Sequence, residues 1–389
     1  MAGLVVKPRS RILHGHDWLY STEVLKAFGN PQDGDVVSLK DGRDRLLGSA
    51  IYNSKSQIVA RRFSRQRQEL DLDFFTRRIR QAAAYRERRG INPRLSRVVW
   101  SESDGLPGLI VDRYGDHVVL QTLTLAMDQR KETIVQAIQE VLKPATIVER
   151  NDAPIRQAEG LELQTGILLG TDPGAFLIEI DGLTFEIDLL RGQKTGFYLD
   201  QVENYREVAR FAAGKTVLDC FSNQGAFALA CAKGGAASVI AVDVSTEAVR
   251  LIGANAARNG VAVTPVEANV FDFLKAQENS GARYDLVILD PPSFTKSKGK
   301  LSDALRGYKE IHLRALKLLN PEGLLATYCC SHHVSRGDFL GVINEAAVDS
   351  KRTLRQIAAY SQGLDHPIIT TLPETQYLKG FLFELVPGR

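Results

Sequence analysis

Cysteine is scarce and lopsided in this 389-residue chain: there are four, Cys220, Cys231, Cys329 and Cys330, and none precedes residue 220. A secreted chain stapled by disulfides spaces its cysteines through the fold. This usage excludes that class and fits a reducing compartment. Long apolar runs are missing too. No stretch approaches the roughly 18 residues that a membrane-spanning helix needs, and no N-terminal signal segment is recognisable, so the chain is expected to be cytoplasmic and free of membrane. Neither sign of charge dominates, since 49 Lys plus Arg against 46 Asp plus Glu leave only +3, too little to argue from alone. Internal repeats and low-complexity tracts are also absent. What remains, 44% hydrophobic and 24% charged, is an ordinary globular composition of two or three domains with enough core to need no covalent staples.

The most informative stretch runs from Thr216 to Asp243. An apolar run (Val217, Leu218) ends in Asp219, a small-residue turn follows (Ser222, Asn223, Gly225), then a helical segment from Phe227 to Lys233, then a second apolar run closing on Asp243. That order is strand, loop, helix, strand, with a carboxylate near each strand end. Such a βαβ unit leaves a ligand crevice beyond the carboxyl ends of its strands. An acid about 20 positions past the loop is placed to accept hydrogen bonds from a ribose diol. The loop keeps Gly225 but lacks the three glycines that let backbone approach a pyrophosphate. Asp219 instead suits a cationic or amino-bearing ligand, the pattern of S-adenosylmethionine (SAM) methyltransferases rather than of NAD domains.

Alternation continues on both sides of this unit. A helix over Val202–Ala213 precedes it. After it come a helix over Thr246–Asn259, strands at Thr264–Ala268 and Tyr284–Leu289, a helix over Leu301–Leu319 and a strand over Leu324–Cys329. Strand and helix in such repetition mean a doubly wound α/β sheet. Residues 1–68 read differently, as a small β-barrel with turns at Asp33-Gly34 and Asp41-Gly42. Residues 69–180 read as a central α+β module with a helix over Leu70–Arg89, and strands at Phe176–Ile180 and Leu183–Asp188 form a hairpin around Asp181-Gly182 that leads into the last domain. The expected domains are therefore 1–68, 69–180 and 181–389. Between Arg61 and Arg97 twelve arginines crowd against four acids, which points to a phosphate-rich partner.

Two strand-end loops carry candidate chemistry. Asp290-Pro291-Pro292 puts a carboxylate at the sheet's carboxyl edge, on a loop stiffened by prolines. Asp-Pro-Pro loops suit gripping an exocyclic amine, but Ser293 separates this one from its aromatic, Phe294. Cys330 offers another route: a thiolate adding at C6 of a pyrimidine makes C5 nucleophilic, and loss of the C5 proton then expels the thiol. Asp290 would hydrogen-bond the base, and His332 or His333 would tune the thiol or move protons. Cys329 points away by strand alternation and reads as packing. Gln193, Lys194 and Asp200 flank Phe197 and Tyr198, which either cover a nucleoside or seal the core. Asn269 is placed to hold an adenine. No metal is assigned, because His14 and His16 lack partners and the Cys329–His333 run has no distant second pair.

Together, DGLPGLIVDRYGDHVVLQ (104–121), QKTGFYLDQ (193–201), LDCFSNQGAFALACAKGGA, VILDPPSF and CCSHHV resemble the bacterial 23S ribosomal RNA cytosine-5 methyltransferases. Those enzymes carry an N-terminal PUA domain, a central α+β domain and a Rossmann-like class I SAM-dependent catalytic domain. The opening RSRILHGHDWLYS with its following strands is similar to the PUA barrel. The resemblance implies SAM as cofactor, 5-methylcytosine as product and Cys330 as nucleophile. It implies Gln193, Asp200, Gly225, Asp243, Asn269 and Asp290 as ligand-facing residues, beside Asp219 and Tyr198 from the reading above. Its implied partner is 23S rRNA, free or in an assembling large subunit, and an exposed barrel edge leaves room for a homodimer. Pro292-Ser293 stands where related two-cysteine enzymes have Pro-Cys, so the base that removes the C5 proton is not legible. Two other functions stay open: N-methylation of guanine or adenine through the Asp-Pro-Pro loop, and an RNA assembly factor that binds SAM without turnover.

Overall fold

The computed structural model describes residues 2–388 except 193–194 and 296–297. The chain divides into two compact units, one of Met1–Phe176, Ile187–Leu199 and Leu364–Thr375, the other of Leu177–Glu186, Asp200–Gly363 and Gln376–Arg389.

The first unit holds two sheets. Strands β1 (Gly3–Val6), β2 (Trp18–Leu19), β3 (Val24–Phe28), β4 (Val36–Lys40), β5 (Leu46–Tyr52) and β6 (Ala60–Ser64) form one, in the order β2-β6-β5-β4-β1-β3. Helix α1 (Leu72–Arg88) follows, started by Asp71, whose side chain accepts from the Phe74 amide at 2.8 Å. Strands β7 (Leu95–Trp100), β8 (Leu109–Tyr114), β9 (His117–Thr122), β10 (Thr146–Asn151) and β11 (Gln164–Leu169) make the second sheet, and α2 (Lys131–Leu142) bridges β9 and β10. One apolar core joins the two: Ile51 and Phe63 of the first sheet pack with Phe74, Phe75 and Ile79 of α1 and with Val99, Val111 and Leu120 of the second. β1 and β2 escaped the sequence reading because they are short, and β3, as long as β4, because it exposes its middle three residues and lacks apolar alternation.

Four of the crowded arginines serve the fold, a correction to the reading of that segment as phosphate contacts. Arg61 lies 2.8 Å from Glu102, Arg62 2.8 Å from Asp17, and Arg97 2.7 Å from Asp112. Arg86 is fully buried and makes a bidentate pair with Asp104, at 2.6 and 2.8 Å. Buried guanidinium groups must be paired, so each sits opposite a carboxylate supplied from elsewhere in the unit. Arg65, Arg67, Arg77, Arg80, Arg88, Arg89 and Arg94 remain exposed.

The hairpin β12 (Ala175–Ile180) and β13 (Leu183–Asp188) has its turn at Asp181-Gly182. Beyond it the second unit is a seven-stranded sheet, ordered β16-β15-β14-β17-β18-β20-β19. Its strands are β14 (Thr216–Cys220), β15 (Ser238–Asp243), β16 (Thr264–Glu267), β17 (Tyr284–Leu289), β18 (Leu319–Cys329), β19 (Leu354–Tyr360) and β20 (Lys379–Leu385). Helices α3 (Val202–Ala209), α4 (Ala226–Lys233), α5 (Thr246–Asn259), α6 (Val270–Ser280), α7 (Leu301–Leu318) and α8 (Arg336–Asp349) connect them. β16, β15, β14, β17 and β18 are mutually parallel, whereas β20 runs antiparallel between β18 and β19. α3 ends four residues short of the expected position, and β18 begins at Leu319, five residues earlier than expected. No helix among the described residues is long and apolar enough to cross a membrane.

Candidate active site in the second unit

Parallel strands deliver their carboxyl ends to one edge of the sheet, so the loops after β14, β15, β17 and β18 gather there. The loop after β14 is shaped by three left-handed residues: Phe221, Asn223 and Gly225, with φ of 63°, 50° and 84°. A Cβ on Gly225 would lie 2.7 Å from the Leu229 side chain and 3.3 Å from Ile252, so helix packing as well as φ demands glycine there. The turn carries the Asn223 amide to Asp243 Oδ2 at 2.9 Å, while the Ser245 amide donates to Asp243 Oδ1 at 3.0 Å. Each oxygen of Asp243 thus receives one amide and keeps a lone pair for a diol.

Asp219 lies deeper. Its Oδ2 accepts from the Ser222 hydroxyl and from the Ala228 amide at 3.1 Å, whereas Oδ1 is buried with no hydrogen-bond partner among the described residues. Burial pushes its pKa up to about 7, opposed by the Ser222 hydrogen bond and aided by the Asp290 charge. A buried carboxyl with one open oxygen is the complement of a ligand ammonium. Asn269 follows β16 and reaches this edge through the Ala268 amide, which donates to the Asp243 carbonyl at 2.9 Å. Its own Oδ1 caps α6 by accepting from the Phe271 amide at 2.9 Å. That helix was missed in the sequence because its cap stood out as a ligand contact.

Asp290 accepts from Gln201 Nε2 at 2.9 Å, and Gln201 Oε1 in turn accepts from Asn204 at 2.6 Å, so α3 and the turn before it fix the carboxylate. Behind this loop Phe294 packs on Tyr308, with ring centroids 4.6 Å apart, and near Phe271 and Phe221. Asp200 is buried, its Oδ2 accepting from the Tyr377 hydroxyl at 2.7 Å, and the Tyr377 ring lies 5.6 Å from that of His332. Cys220, Cys231 and Cys329 are buried and Cys330 is partly exposed. Cys329 donates to the Tyr308 hydroxyl at 3.3 Å, consistent with a packing role. Gln193 lies outside the described residues, and Tyr198 is half-buried in the first unit. Sequence reasoning passed over Gln201, Asn204, Tyr377, Lys379 and the 68%-exposed Val244 beside Asp243. Of these only Val244 had a signal, an apolar residue directly after a strand-end acid.

A cavity of about 290 Å³ opens elsewhere, between the hairpin and helices α3 and α4; none of the candidate residues lines it.

Residues 163–367 match the S-adenosylmethionine-dependent methyltransferase family model, and residues 6–65 match a PUA-like domain. A ribosomal RNA large subunit methyltransferase I from Erwinia tasmaniensis is 36% identical over 391 residues, covering 98% of this chain and 99% of that protein. One from Vibrio cholerae is 38% identical, covering 97% of each. The chain belongs to the ribosomal RNA large subunit methyltransferase I family. A solved protein from Streptococcus mutans, described as a SAM-dependent methyltransferase, shares the fold over 99% of this chain, with a TM-score of 0.84 at 24% identity. The M. jannaschii tRNA m1G37 methyltransferase shares it more loosely, with a TM-score of 0.50 at 16% identity. The fold class expected from the sequence holds: a PUA-like β module, an α+β region and a Rossmann-like α/β domain.

Membership in this family makes the protein a SAM-dependent methyltransferase. The residues present fit that cofactor, since the buried Oδ1 of Asp219, unpartnered among the described residues, suits an ammonium and the amide-anchored Asp243 suits a ribose.

Proposed function

We propose that this enzyme methylates C5 of a cytosine in large-subunit (23S) ribosomal RNA, with Cys330 as nucleophile. The observation that carries the reading is the exposure of Cys330 at the end of β18, while the other three cysteines are buried. The names of the relatives supply the RNA class, and the PUA-like domain supports RNA as partner. In this reading Asp219, Asp243 and Asn269 hold the cofactor with Gly225 shaping their loop, and Asp200 braces Tyr377 beside His332. When bound, the cofactor supplies the electrophilic methyl group that C5 takes up. The Cys330 thiolate adds to C6 and pushes electron density onto C5. Asp290, held by Gln201, hydrogen-bonds the base and steadies the adduct. Departure of the C5 proton restores the ring and expels the thiolate. An unpaired or locally opened cytosine suits the site best, because extruding a paired base costs a few kcal/mol. The same reading keeps the domain limits 1–68, 69–180 and 181–389 and a cytoplasmic location.

Ribosomal RNA from cells lacking the protein, incubated with enzyme and methyl-labelled SAM, should yield labelled 5-methylcytidine. Cys330→Ala should bind SAM normally and lose turnover by at least about 1000-fold. A labelled guanosine or adenosine would move the chemistry to Asp290 and leave Cys330 as packing.

A further inference from the structure

Lys379 takes no part in the chemistry above, yet it is only 5% exposed. It opens β20 directly opposite Cys329 in the antiparallel ladder. Cross-strand partners share a face of the sheet, so the lysine stem starts beside the Cys329 side chain. Its Nζ then donates to the Ser331 carbonyl at 2.5 Å and the Val334 carbonyl at 2.8 Å. Those carbonyls bracket the turn after Cys330, which is closed by the Val334 amide donating to Ser331 at 3.4 Å. One buried lysine therefore runs from beside Cys329, where its backbone pairs, to the two carbonyls of the loop after Cys330 that its ammonium holds. We propose that Lys379 is a positioning residue for the nucleophile: it ties down the Cys330 loop and stabilises the Cys330 thiolate. This rests on the reading of Cys330 as the attacking group.

Of the charged groups around the loop, Arg336 lies over the Phe381 ring, 4.5 Å from its centroid. Burial lowers the lysine pKa, and the groups that oppose the fall are the Cys329 and Cys330 sulfurs rather than a carboxylate. Desolvation of its ring, with Lys379 and His333 nearby, lowers the His332 pKa and favours the neutral imidazole. Asp290, from the end of β17, acts on neighbouring Cys329 in the opposite sense, disfavouring a thiolate. Tyr308, from α7, contributes a hydroxyl dipole. A cation in this poorly solvated pocket acts more strongly than one in water.

Alkylation of the full-length protein by iodoacetamide across pH 6–9, with Cys330 followed by peptide mass, reads the thiol without any turnover. In the unaltered protein the midpoint should lie below the ordinary thiol value of about 8.5. Lys379→Met should raise it by about one unit and slow alkylation at pH 7 by roughly three- to tenfold, and Lys379→Arg should restore most of the rate. SAM binding reports that each variant is folded. A midpoint at or above about 8.5 in the unaltered protein, or an unchanged profile in a SAM-binding Lys379→Met, would overturn the proposal. Retained turnover by Cys330→Ala would instead remove the nucleophile reading, a separate result from what the thiol titration reports.

Discussion

Asp219 illustrates how a single side chain was legible in kind but not in state. Its position after an apolar strand announced a ligand-facing acid. That its pKa stands at about 7 depends on burial and on Asp290, which lies 71 positions further along the chain and is brought near only by the β14–β17 pairing. The consequence for pH follows from proton counts. Between about pH 4 and 7 the folded carboxyl keeps a proton that the unfolded one has lost, so this group's contribution to stability falls as pH rises through that window. Asp219→Asn should flatten that part of a denaturation-versus-pH curve. A ligand ammonium favours the ionised carboxyl, so SAM should bind more tightly as pH rises from about 5.5 to 7.5. Calorimetric titration at several pH values checks this; a dissociation constant that does not move would take Asp219 away from the cationic end of the ligand. Lys379 is the opposite case. Nothing local distinguishes a lysine at the start of a C-terminal strand, and its role exists only through pairing with a strand some fifty residues upstream.

At the level of elements, α1 shows where charge patterning misleads. Its length was read closely from apolar spacing and the Asn92-Pro93 break, yet its arginines divide into two kinds. Arg86 faces inward to Asp104 and also donates to the Asp365 carbonyl at 2.7 Å and the Arg97 carbonyl at 2.9 Å. A helical wheel would have placed it on the buried face with Phe75, Ile79 and Ala82, which is the signal that the run of arginines concealed. Arg86→Met should strand the Asp104 carboxylate and destabilise the first unit by about 3–5 kcal/mol. Trp18 and Trp100, the chain's two tryptophans, both belong to that unit. Urea unfolding followed by tryptophan fluorescence should therefore show a clearly lowered midpoint, and an unchanged one would mean that the pair is not needed. The strands β14, β15 and β17 were read well because they are largely buried and their apolar runs end abruptly at an acid or cysteine. β19 and β20 were not, since an antiparallel return leaves no such punctuation.

Across the whole molecule, the exposed arginines are what remains of the basic signal. Arg77, Arg80 and Arg88 lie at helical spacing on the outward side of α1, opposite its buried residues. If the RNA backbone follows this face, replacing all three with alanine should weaken RNA binding at low salt. The slope of log affinity against log salt should also fall by about 2, since each phosphate contact contributes roughly 0.7 to 0.9. Filter binding at several salt concentrations measures it, and an unaltered slope would place the RNA elsewhere. Residues Leu364–Thr375 carry a last consequence. They complete the first unit through Asp365, through His366 against Trp100, and through Glu374, 3.1 Å from His16, although the residues on either side of them belong to the second. The N-terminal module therefore waits, during synthesis, for a segment made after nearly all of the methyltransferase sheet, and its final packing is late. Cutting the gene between its PUA-like and catalytic parts would yield neither as it stands in the whole.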